Sequence, residues 1–240
     1  DAVRFDFTDS STYEDALKDV GRVFLMRPPH LGRAKALYPF IDAMKRKNIR
    51  LVVFLSLMGV EKNPIPPHHR IEKYIEKAGL AHAHIRPGFF MQNLTGIHLK
   101  EIKEDHELFI PAGKSKTSFI DAKDISLSAA VLLSNPDKYR NTVHTITGPD
   151  ALSYHAVATI LSNTLETTIT YTNPGLLKYR SYMIKKRGLS KGYVLVTVAL
   201  YLMTRMGTAK KVTNGFYKLT GKTPVSFETF ARENKHLFIG

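Results

Sequence analysis

The stretch "RLVVFLSLMGVEKNPIPPHHRIEKYIEKAGLAHAHIRP", residues 50–87, contains the pattern that decides the fold. A strand is predicted at 50–56, where the uninterrupted apolar run 51–55 is followed by Ser56 and a loop with one Gly and three Pro. The charged segment after the loop has apolar residues at helical spacing and ends at Gly79, which is typical of a helix C-terminus. A second strand is predicted at 81–87. A buried strand, a helix and another buried strand in this order predict one β-α-β unit of a parallel sheet.

The same alternation extends in both directions along the chain. Further strands are predicted at 2–7, 22–26, 142–148 and 167–173, and further helices at 10–20, 34–48, 121–136 and 153–165. A short helix followed by a turn or hairpin is predicted over 95–113, and the chain from residue 174 onward is predicted to be largely helical. We therefore predict an α/β fold, a Rossmann-like doubly wound parallel sheet. Its main domain is expected at 1–150, with a smaller, mainly helical region at 151–240.

Composition excludes several classes of site. The chain has 240 residues and no cysteine, so it has no disulfide, no thiolate metal site and no Cys nucleophile. A chain without cysteine is consistent with a reducing cytoplasm, where we expect the protein. The start "DAVRFDFTDS" lacks a signal-peptide pattern, and the longest apolar stretch, 193–203, is too short to span a bilayer. No membrane association is predicted.

Positive charge is concentrated in the last third of the chain. The formal net charge is +14, and residues 151–240 hold 13 basic and 3 acidic residues. Such a surface can bind nucleic acid, an anionic membrane or an acidic protein, or can lie beside an anionic cofactor. We favour a solvated surface beside an anionic cofactor. We find no helix-turn-helix, zinc finger or RNP-type strand, so no specific nucleic-acid partner is predicted.

The ends of the predicted strands indicate where a ligand binds. A parallel α/β sheet binds its ligand at the carboxyl ends of its strands. These ends are Asp6-Phe7, Met26-Arg27-Pro28, Ser56-Leu57-Met58 and Arg86-Pro87-Gly88. They are expected to line one crevice, although topology alone does not identify the ligand.

The order of several segments resembles the NmrA-like family. The segments are "FDFTDSSTYEDALKDVGRVFLMRPP", "NIRLVVFLSLMGV", "PPHHRIEKYIEKAGLAHAHIRPGFFMQNL", "SFIDAKDIS" and "VHTITGPDALSYHAVATILS". The most specific pieces are Arg86-Pro87 before "FFMQN" and the pair Asp121 and Asp124-Ile125. Members of this family are atypical short-chain dehydrogenase/reductase relatives that bind NAD(P). The resemblance therefore implies NADP or NAD as cofactor and a small-molecule substrate.

One expected element of the family is missing from this sequence. Family chains begin with a strand, a Gly-rich turn, a helix and a second strand, whereas this chain begins at what corresponds to the third strand. No two glycines lie closer than four residues, so the turn that binds a pyrophosphate at a helix N-terminus is absent. Either the sequence is incomplete at its N-terminus or the cofactor site is defective. We favour incompleteness, because a sheet without its first strand would expose apolar edges.

The resemblance assigns cofactor-binding roles to residues at two of the strand ends. It implies that Asp6 and Phe7 lie near the adenine, and that Leu25, Met26 and Arg27 run under the ribose and pyrophosphate. Arg27 is the candidate phosphate ligand, because a guanidinium can bind a phosphate through two parallel hydrogen bonds. Two alternatives stay open: Asp6 as part of a capped turn before a helix, and Arg27 as a surface residue of a proline-stiffened loop.

The other two strand ends complete the expected pocket. Ser56 and Leu57 are expected beside the cofactor, and the family's loop that starts at Pro87 covers the nicotinamide and the substrate. Phe90 is the expected lining residue, and such a lining suits a flat aromatic substrate such as a quinone or an azo dye. The alternative is that Phe89 and Phe90 divide between the core and the pocket.

The catalytic residues of the wider superfamily are only partly present. There, a serine placed like Ser56 works with a tyrosine and with a lysine four residues after it, which lowers the tyrosine's pKa. Tyr74 is followed by Ala78 instead of lysine. His68 is the candidate acid, since a histidine can donate a proton near neutral pH. His68 could equally cap the helix or contact the substrate, and Ser56 could be a turn serine.

His82 and His84 are candidate metal ligands. His82 and His84 lie on the same face of a predicted strand. They could form a zinc pair, but we identify no third ligand near them in sequence, so no metal site is predicted.

Two functions compete. The first is an NAD(P)H-dependent reductase of quinone, azo or similar small acceptors, in which stable phenolate products tolerate the missing Tyr-Lys pair. The second is a catalytically weak NAD(P) redox sensor that acts through a regulatory protein partner. The incomplete set of catalytic residues and the basic C-terminal surface agree with the second function.

Overall fold

Strands and helices alternate through residues 2–239, the part of the chain that the computed structural model describes. The strands are β1 (Arg22–Met26), β2 (Leu51–Leu55), β3 (His82–Pro87), β4 (Phe89–Phe90), β5 (Glu107–Phe109), β6 (Lys116–Ile120), β7 (Thr142–Ile146), β8 (Ala151–Ser153) and β9 (Thr170–Thr172). The helices are α1 (Tyr13–Ala16), α2 (Tyr38–Arg46), α3 (Pro67–Lys77), α4 (Gln92–Thr95), α5 (Leu99–Glu104), α6 (Ala122–Ser134), α7 (Tyr154–Leu165), α8 (Leu176–Lys185), α9 (Lys191–Arg205), α10 (Gly215–Thr220), α11 (Phe227–Glu233) and α12 (Lys235–Phe238).

The largest sheet has the strand order β1-β2-β3-β7, and all of its neighbouring strands are parallel. All five residues of β2 are buried, as its uninterrupted apolar run predicts for a central parallel strand. The apolar faces of α2 and α3 pack into the same core through Ile41, Met44, Ile71 and Ile75. The predicted Rossmann-like α/β fold is confirmed.

The chain divides into two compact units. Unit 1 comprises Asp1–Pro87, Ile125–Ile146 and Lys218–Gly221, and contains the four-stranded sheet. Unit 2 comprises Gly88–Asp124, Thr147–Tyr217 and Lys222–Gly240. Because the units interleave along the chain, the two predicted domains, 1–150 and 151–240, do not correspond to them segment by segment. The domain boundaries 1–150 and 151–240 stay a prediction.

Unit 2 combines two small sheets with most of the C-terminal helices. β4, β6 and β8 form one sheet, and β5 pairs in parallel with β9 to form the other. Its core is rich in aromatic residues, including Phe119, Tyr154, Tyr179 and Phe230. Within residues 2–239, no helix is both long enough and apolar enough to cross a lipid bilayer.

The prediction of a strand at residues 2–7 is wrong. Residues 2–6 have no regular secondary structure, and β1 is the edge of the large sheet, with Phe24 and Met26 42% and 56% exposed. A strand needs a neighbour for its backbone hydrogen bonds, and none of the strands described here pairs with this segment. Phe5 and Phe7 instead pack their rings against Phe40.

Three short strands, β4, β6 and β8, were not predicted, because a few residues give too little periodicity to recognise. The predicted turn or hairpin in 95–113 contains β5, whose partner is the distant β9 rather than a neighbouring strand. Short strands are defined by their pairing partner, and sequence spacing does not reveal a partner that far along the chain.

Candidate active and cofactor site

The carboxyl ends of β1, β2 and β3 lie side by side in unit 1, as the parallel register requires. Met26 is opposite Leu55, and Leu55 is opposite Ile85. The backbone N–H of Ser56 donates to Ile85 O at 2.8 Å, and that of Met58 donates to Pro87 O at 3.0 Å. The loop after β2 is therefore held against the end of β3. The sheet brings the predicted residues Arg27, Ser56 and Pro87 to one edge.

Arg27 is a half-buried cation with an unused donor. Its Nη1 donates to Pro28 O at 3.0 Å and to Leu31 O at 2.7 Å, which folds the side chain over its own loop. Its Nε is buried and has no hydrogen-bond partner among the described residues, and no carboxylate there lies within 4 Å of the guanidinium. Burial lowers the pKa of Arg27, although an arginine remains charged at neutral pH. A cation in this setting favours an anionic ligand.

His68 lies in the first turn of α3, and its ring is 6.0 Å from the ring of Phe54. Its Nδ1 is buried and without a hydrogen-bond partner in the described chain. The pKa of His68 is lowered to about 4, mainly by burial and also by the positive charge of Arg27, while Glu72 opposes both effects. His68 is therefore neutral at pH 7, so in this environment it is a hydrogen-bonding group rather than a strong acid.

A buried ion pair lies one helical turn beyond His68. Arg86 binds the Glu72 carboxylate through two hydrogen bonds, and its Nη1 donates to Glu61 Oε2 at 3.1 Å. Burial alone raises the pKa of Glu72, but Arg86 and the Ser56 hydroxyl outweigh it, so the net pKa is lowered. Glu72 is thus a carboxylate that is held in place and not a proton donor.

Ser56 is only 4% exposed. Its hydroxyl makes no hydrogen bond of ordinary geometry within the described chain, although it lies close enough to Glu72 to favour the charged carboxylate. The hydroxyl is therefore available to a ligand. The sequence predicted the position of Ser56 correctly. The ion pair between its neighbours Glu72 and Arg86 was not predicted, because it depends on how α3 packs against β3.

The residues predicted at the adenine form a local turn. The backbone N–H and the hydroxyl of Thr8 both donate to Asp6 Oδ1 at 2.7 Å, and these bonds lower the pKa of Asp6. The carbonyl of Phe7 accepts from the Tyr13 hydroxyl at 2.7 Å. The turn that the sequence left open as an alternative is present. The adenine contact stays a prediction.

Leu25, Met26 and Leu57 differ in what they can offer a ligand. Leu25 is buried in the core of unit 1, so only its backbone can contact a cofactor. Met26 is exposed and Leu57 is half-buried. The cofactor contacts of all three stay predictions.

Tyr74 is not at the strand ends. Its hydroxyl donates to Asp42 Oδ1 at 2.9 Å, and its ring stacks on Tyr38 with a centroid distance of 3.6 Å. The tyrosine that the wider superfamily uses in catalysis therefore has no counterpart on α3. This agrees with the presence of Ala78, instead of a lysine, four residues after Tyr74.

Unit 2 contains the predicted lining residue and the Asp pair. Phe89 packs against the core of unit 2, whereas Phe90, its half-buried neighbour, does not belong to that core. The Asp121 carboxylate accepts from the Gln92 amide at 3.1 Å and from Lys123 N at 2.7 Å. Burial raises the pKa of Asp124 to about 6, although its Oδ2 accepts from Val225 N. The Asp pair thus organises the start of α6, and Phe90 as a substrate-lining residue stays a prediction.

Residues 2–181 match the NmrA-like family. This chain belongs to the NmrA-like family. Prestalk A differentiation protein A of Dictyostelium discoideum is 29% identical to this NmrA-like protein over 231 residues, covering 96% of this chain and 75% of that protein. An NAD(P)H azoreductase of Xenophilus azovorans is 27% identical over 237 residues, covering 97% of this chain and 82% of that protein.

Solved structures share the fold of this NmrA-like protein. An NADPH-dependent quinone oxidoreductase from Escherichia coli, solved with NADPH, has a TM-score of 0.86 at 19% identity, covering 96% of this chain and 82% of that chain. NmrA, a negative transcriptional regulator solved with NADP, has a TM-score of 0.72 at 19% identity, covering 93% of this chain and 76% of that chain. At these identities the likeness shows the fold alone.

Proposed function

We propose that this NmrA-like protein is an NAD(P)H-dependent reductase of quinones, azo compounds or similar small acceptors. The observation that carries the proposal is the half-buried Arg27, with its unused Nε, beside the neutral His68 at the carboxyl edge of the sheet. An uncompensated cation and a neutral donor at a ligand-binding edge suit an anionic cofactor and an acceptor with carbonyl or azo groups. The azoreductase among the relatives supports this class of acceptor.

The residues present fit a dinucleotide cofactor in part. The unused Nε of Arg27 would bind a phosphate oxygen, and the backbone at Leu25 and Met26 would run beside the ribose. Asp6 and Phe7 would lie near the adenine, as in the resembled family. Bound NAD(P)H would supply the hydride.

The roles of the remaining residues follow from their protonation states. Because His68 is neutral at pH 7, it would orient the acceptor by a hydrogen bond, and the buried Ser56 hydroxyl would do the same. Reduction of a quinone adds one hydride and one proton, and its phenolic product oxygens are stable as anions. Water can therefore supply the proton, so the reaction does not need the missing Tyr-Lys pair.

The alternative is an NAD(P) redox sensor that acts through a regulatory protein partner. NmrA itself is a transcriptional regulator with the same fold, and a basic C-terminal surface agrees with an acidic partner. A sensor requires tight cofactor binding and tolerates the absence of turnover. The two functions therefore differ in a measurable way.

One experiment distinguishes them. NADPH and NADH are titrated into the purified chain while the fluorescence of the cofactor is followed, and turnover is then measured with 1,4-naphthoquinone and with the azo dye methyl red. Saturable binding together with cofactor oxidation by either acceptor supports the reductase. Saturable binding without oxidation supports the sensor and overturns the reductase. Absence of binding to both cofactors overturns both.

A further inference from the structure

Three side chains that can ligate a metal converge in unit 1, away from the carboxyl ends of the strands. His82 and His84 lie near the beginning of β3, whereas Arg86 and Pro87 lie at its end. Glu76 lies in the last turn of α3, which packs against β3. Each of the three offers a ligand atom, and these atoms all lie within 4.8 Å of one another. The alternating geometry of the strand places both histidines on one face, and α3 supplies the carboxylate above them.

The buried ring of His84 gives the strongest evidence for a ligand at this cluster. The residue is 0% exposed, and neither Nδ1 nor Nε2 has a hydrogen-bond partner among residues 2–239. Its Nε2 faces Glu76 Oε1 at 3.5 Å, too far for a good hydrogen bond. Buried ring nitrogens are almost always satisfied, so an imidazole with two unsatisfied nitrogens points to an ion or a water between it and the carboxylate.

His82 is already oriented as a ligand. Its Nδ1 lies 3.0 Å from Leu80 O, and since a carbonyl can only accept, Nδ1 must carry the proton. Its Nε2 then retains the lone pair that a metal needs. A histidine whose other ring nitrogen donates to a backbone carbonyl is the usual arrangement at metal sites, because the bond fixes both the tautomer and the orientation of the ring.

Glu76 provides a free oxygen and an entry path. Lys73 Nζ donates to its Oε2 at 2.8 Å, which leaves Oε1 directed at His84. The Glu76 side chain is 30% exposed, so an ion can reach the cluster from solvent. The bond from Lys73 also holds the carboxylate above the two rings.

We propose that Glu76, His82 and His84 form a binding site for a divalent transition-metal ion of the zinc type. Two imidazoles and one carboxylate match the preference of Zn²⁺, and a water would take the fourth position. Ligand bonds near 2.0–2.2 Å place tetrahedral ligand atoms about 3.4 Å apart, so the ligand atoms, now within 4.8 Å of one another, must approach by up to about 1.4 Å on binding.

The required movement is small. The rings of His82 and His84 are stacked at 4.6 Å with an interplanar angle of 19°, so the ring of His82 must rotate to direct Nε2 at the same point as His84. His82 and Glu76 are both partly exposed and are free to adjust, whereas the buried His84 serves as the anchor. The ion would fasten the last turn of α3 to β3. The site stands apart from the proposed reductase chemistry and does not depend on it.

The test uses the untagged full chain stripped of metal with a chelator. Zn²⁺ is titrated in competition with a chromophoric chelator, and bound zinc is counted by elemental analysis after gel filtration. We expect one zinc per chain, and a rise in the thermal midpoint of about 5–10 °C at a free zinc concentration 100-fold above the Kd. Co²⁺ in place of Zn²⁺ is expected to give the visible absorption of a tetrahedral centre.

The variants Glu76→Gln and His82→Asn change partly exposed residues, so both are expected to fold. Each is expected to weaken zinc binding at least 100-fold and to abolish the thermal shift, with the circular dichroism spectrum unchanged. The matched controls are Glu104→Gln and His236→Asn, the same changes at exposed positions, and both are expected to bind zinc like the parent chain. The proposal is overturned if the parent chain binds less than one zinc per five chains, or if the controls weaken binding as much as the site variants.

Discussion

Arg86 and Glu72 are joined by two parallel hydrogen bonds, with Nε 3.0 Å from Oε1 and Nη2 2.6 Å from Oε2. Glu72 is 1% exposed, so this is a buried pair that connects β3 to α3 beneath the candidate site. We predict that Arg86→Met, which leaves the Glu72 charge buried and unpaired, lowers the free energy of unfolding by about 3–5 kcal/mol. Urea-induced unfolding measures the change.

A double-mutant cycle checks the cause. The double variant Glu72→Leu with Arg86→Met is expected to lose less stability than Arg86→Met alone, because no charge is left buried. The exposed pair Lys100 and Glu104 supplies the control, and Lys100→Ala is expected to cost less than about 1 kcal/mol. Strictly additive losses for the pair would contradict the interpretation.

Arg27→Ala is predicted to weaken NADPH binding by about 10- to 100-fold, the value of a charge-assisted hydrogen bond to phosphate. Arg27→Lys is expected to recover part of the affinity, since it keeps the charge but loses the planar fork. Cofactor fluorescence titrations at two salt concentrations measure both variants. The matched control is Arg46→Ala, at an exposed position near the end of α2, and equal losses in the two alanine variants would argue against a phosphate contact.

His68 is predicted to make the protein less stable as the pH falls. Its folded-state pKa, about 4, lies below the ordinary value of 6.5, so the unfolded chain takes up the proton first on acidification. The stability is complete above pH 6.5 and falls between pH 6.5 and pH 4. At pH 5 we expect His68→Asn to reduce this loss, relative to pH 7.5, by on the order of 1 kcal/mol after allowing for partial exposure.

Urea midpoints at pH 7.5 and pH 5 provide the measurement for His68, with the exposed His236→Asn as the matched control. The control is expected to keep the pH dependence of the parent chain. An unchanged pH dependence in His68→Asn would show that the His68 ring is solvated in solution.

Asp124 is predicted to make the protein less stable as the pH rises, which is the opposite of the effect of His68. Burial raises its folded pKa to about 6 from 3.8, so the folded state holds the proton more tightly than the unfolded chain. The stability contribution is therefore lost as the pH rises from about 4 through 6. The amide oxygen of the variant Asp124→Asn can still accept from Val225 N. We expect this variant to have a free energy of unfolding, relative to the parent chain, that is about 1–3 kcal/mol higher at pH 8 than at pH 4. Thermal unfolding at both pH values tests this, and an equal effect at both would contradict it.

Gly148 is predicted to tolerate no side chain. A Cβ at this position would lie 2.3 Å from Phe119 O, which also accepts a hydrogen bond from Gly148 N at 2.6 Å. We expect Gly148→Ala to lower the free energy of unfolding by more than about 2 kcal/mol, as overpacking does. Gly192→Ala, in the first turn of α9 with no atom within 4 Å of the new Cβ, is expected to raise it by up to about 1 kcal/mol. Urea unfolding of both variants gives the comparison, and a loss in Gly192→Ala as large as in Gly148→Ala would contradict it.

Local sequence patterns predicted the elements whose signal is long and periodic. A strand at 50–56 and a helix at 69–79 were predicted from the sequence, and β2 and α3 lie within two residues of these bounds. A continuous apolar run and a 3.6-residue period each reflect burial that the chain itself encodes. The parallel order then placed Arg27, Ser56 and Pro87 at one edge, since strand direction alone determines which ends meet. The pieces "RPGFFMQN" and "SFIDAKDIS", in their order with the other quoted segments, predicted the NmrA-like family correctly.

Only the tertiary structure decided the features that depend on a partner distant in space. Residues 2–6 look like a strand in sequence but are irregular, because a strand exists only where another strand accepts its hydrogen bonds. The neutral state of His68 follows from burial and the nearby Arg27. The sequence showed His82 and His84 as a pair, and the packing of α3 on β3 brought Glu76 within reach of both. Chemistry at these sites arises from desolvation and proximity, which residue types and spacing do not contain.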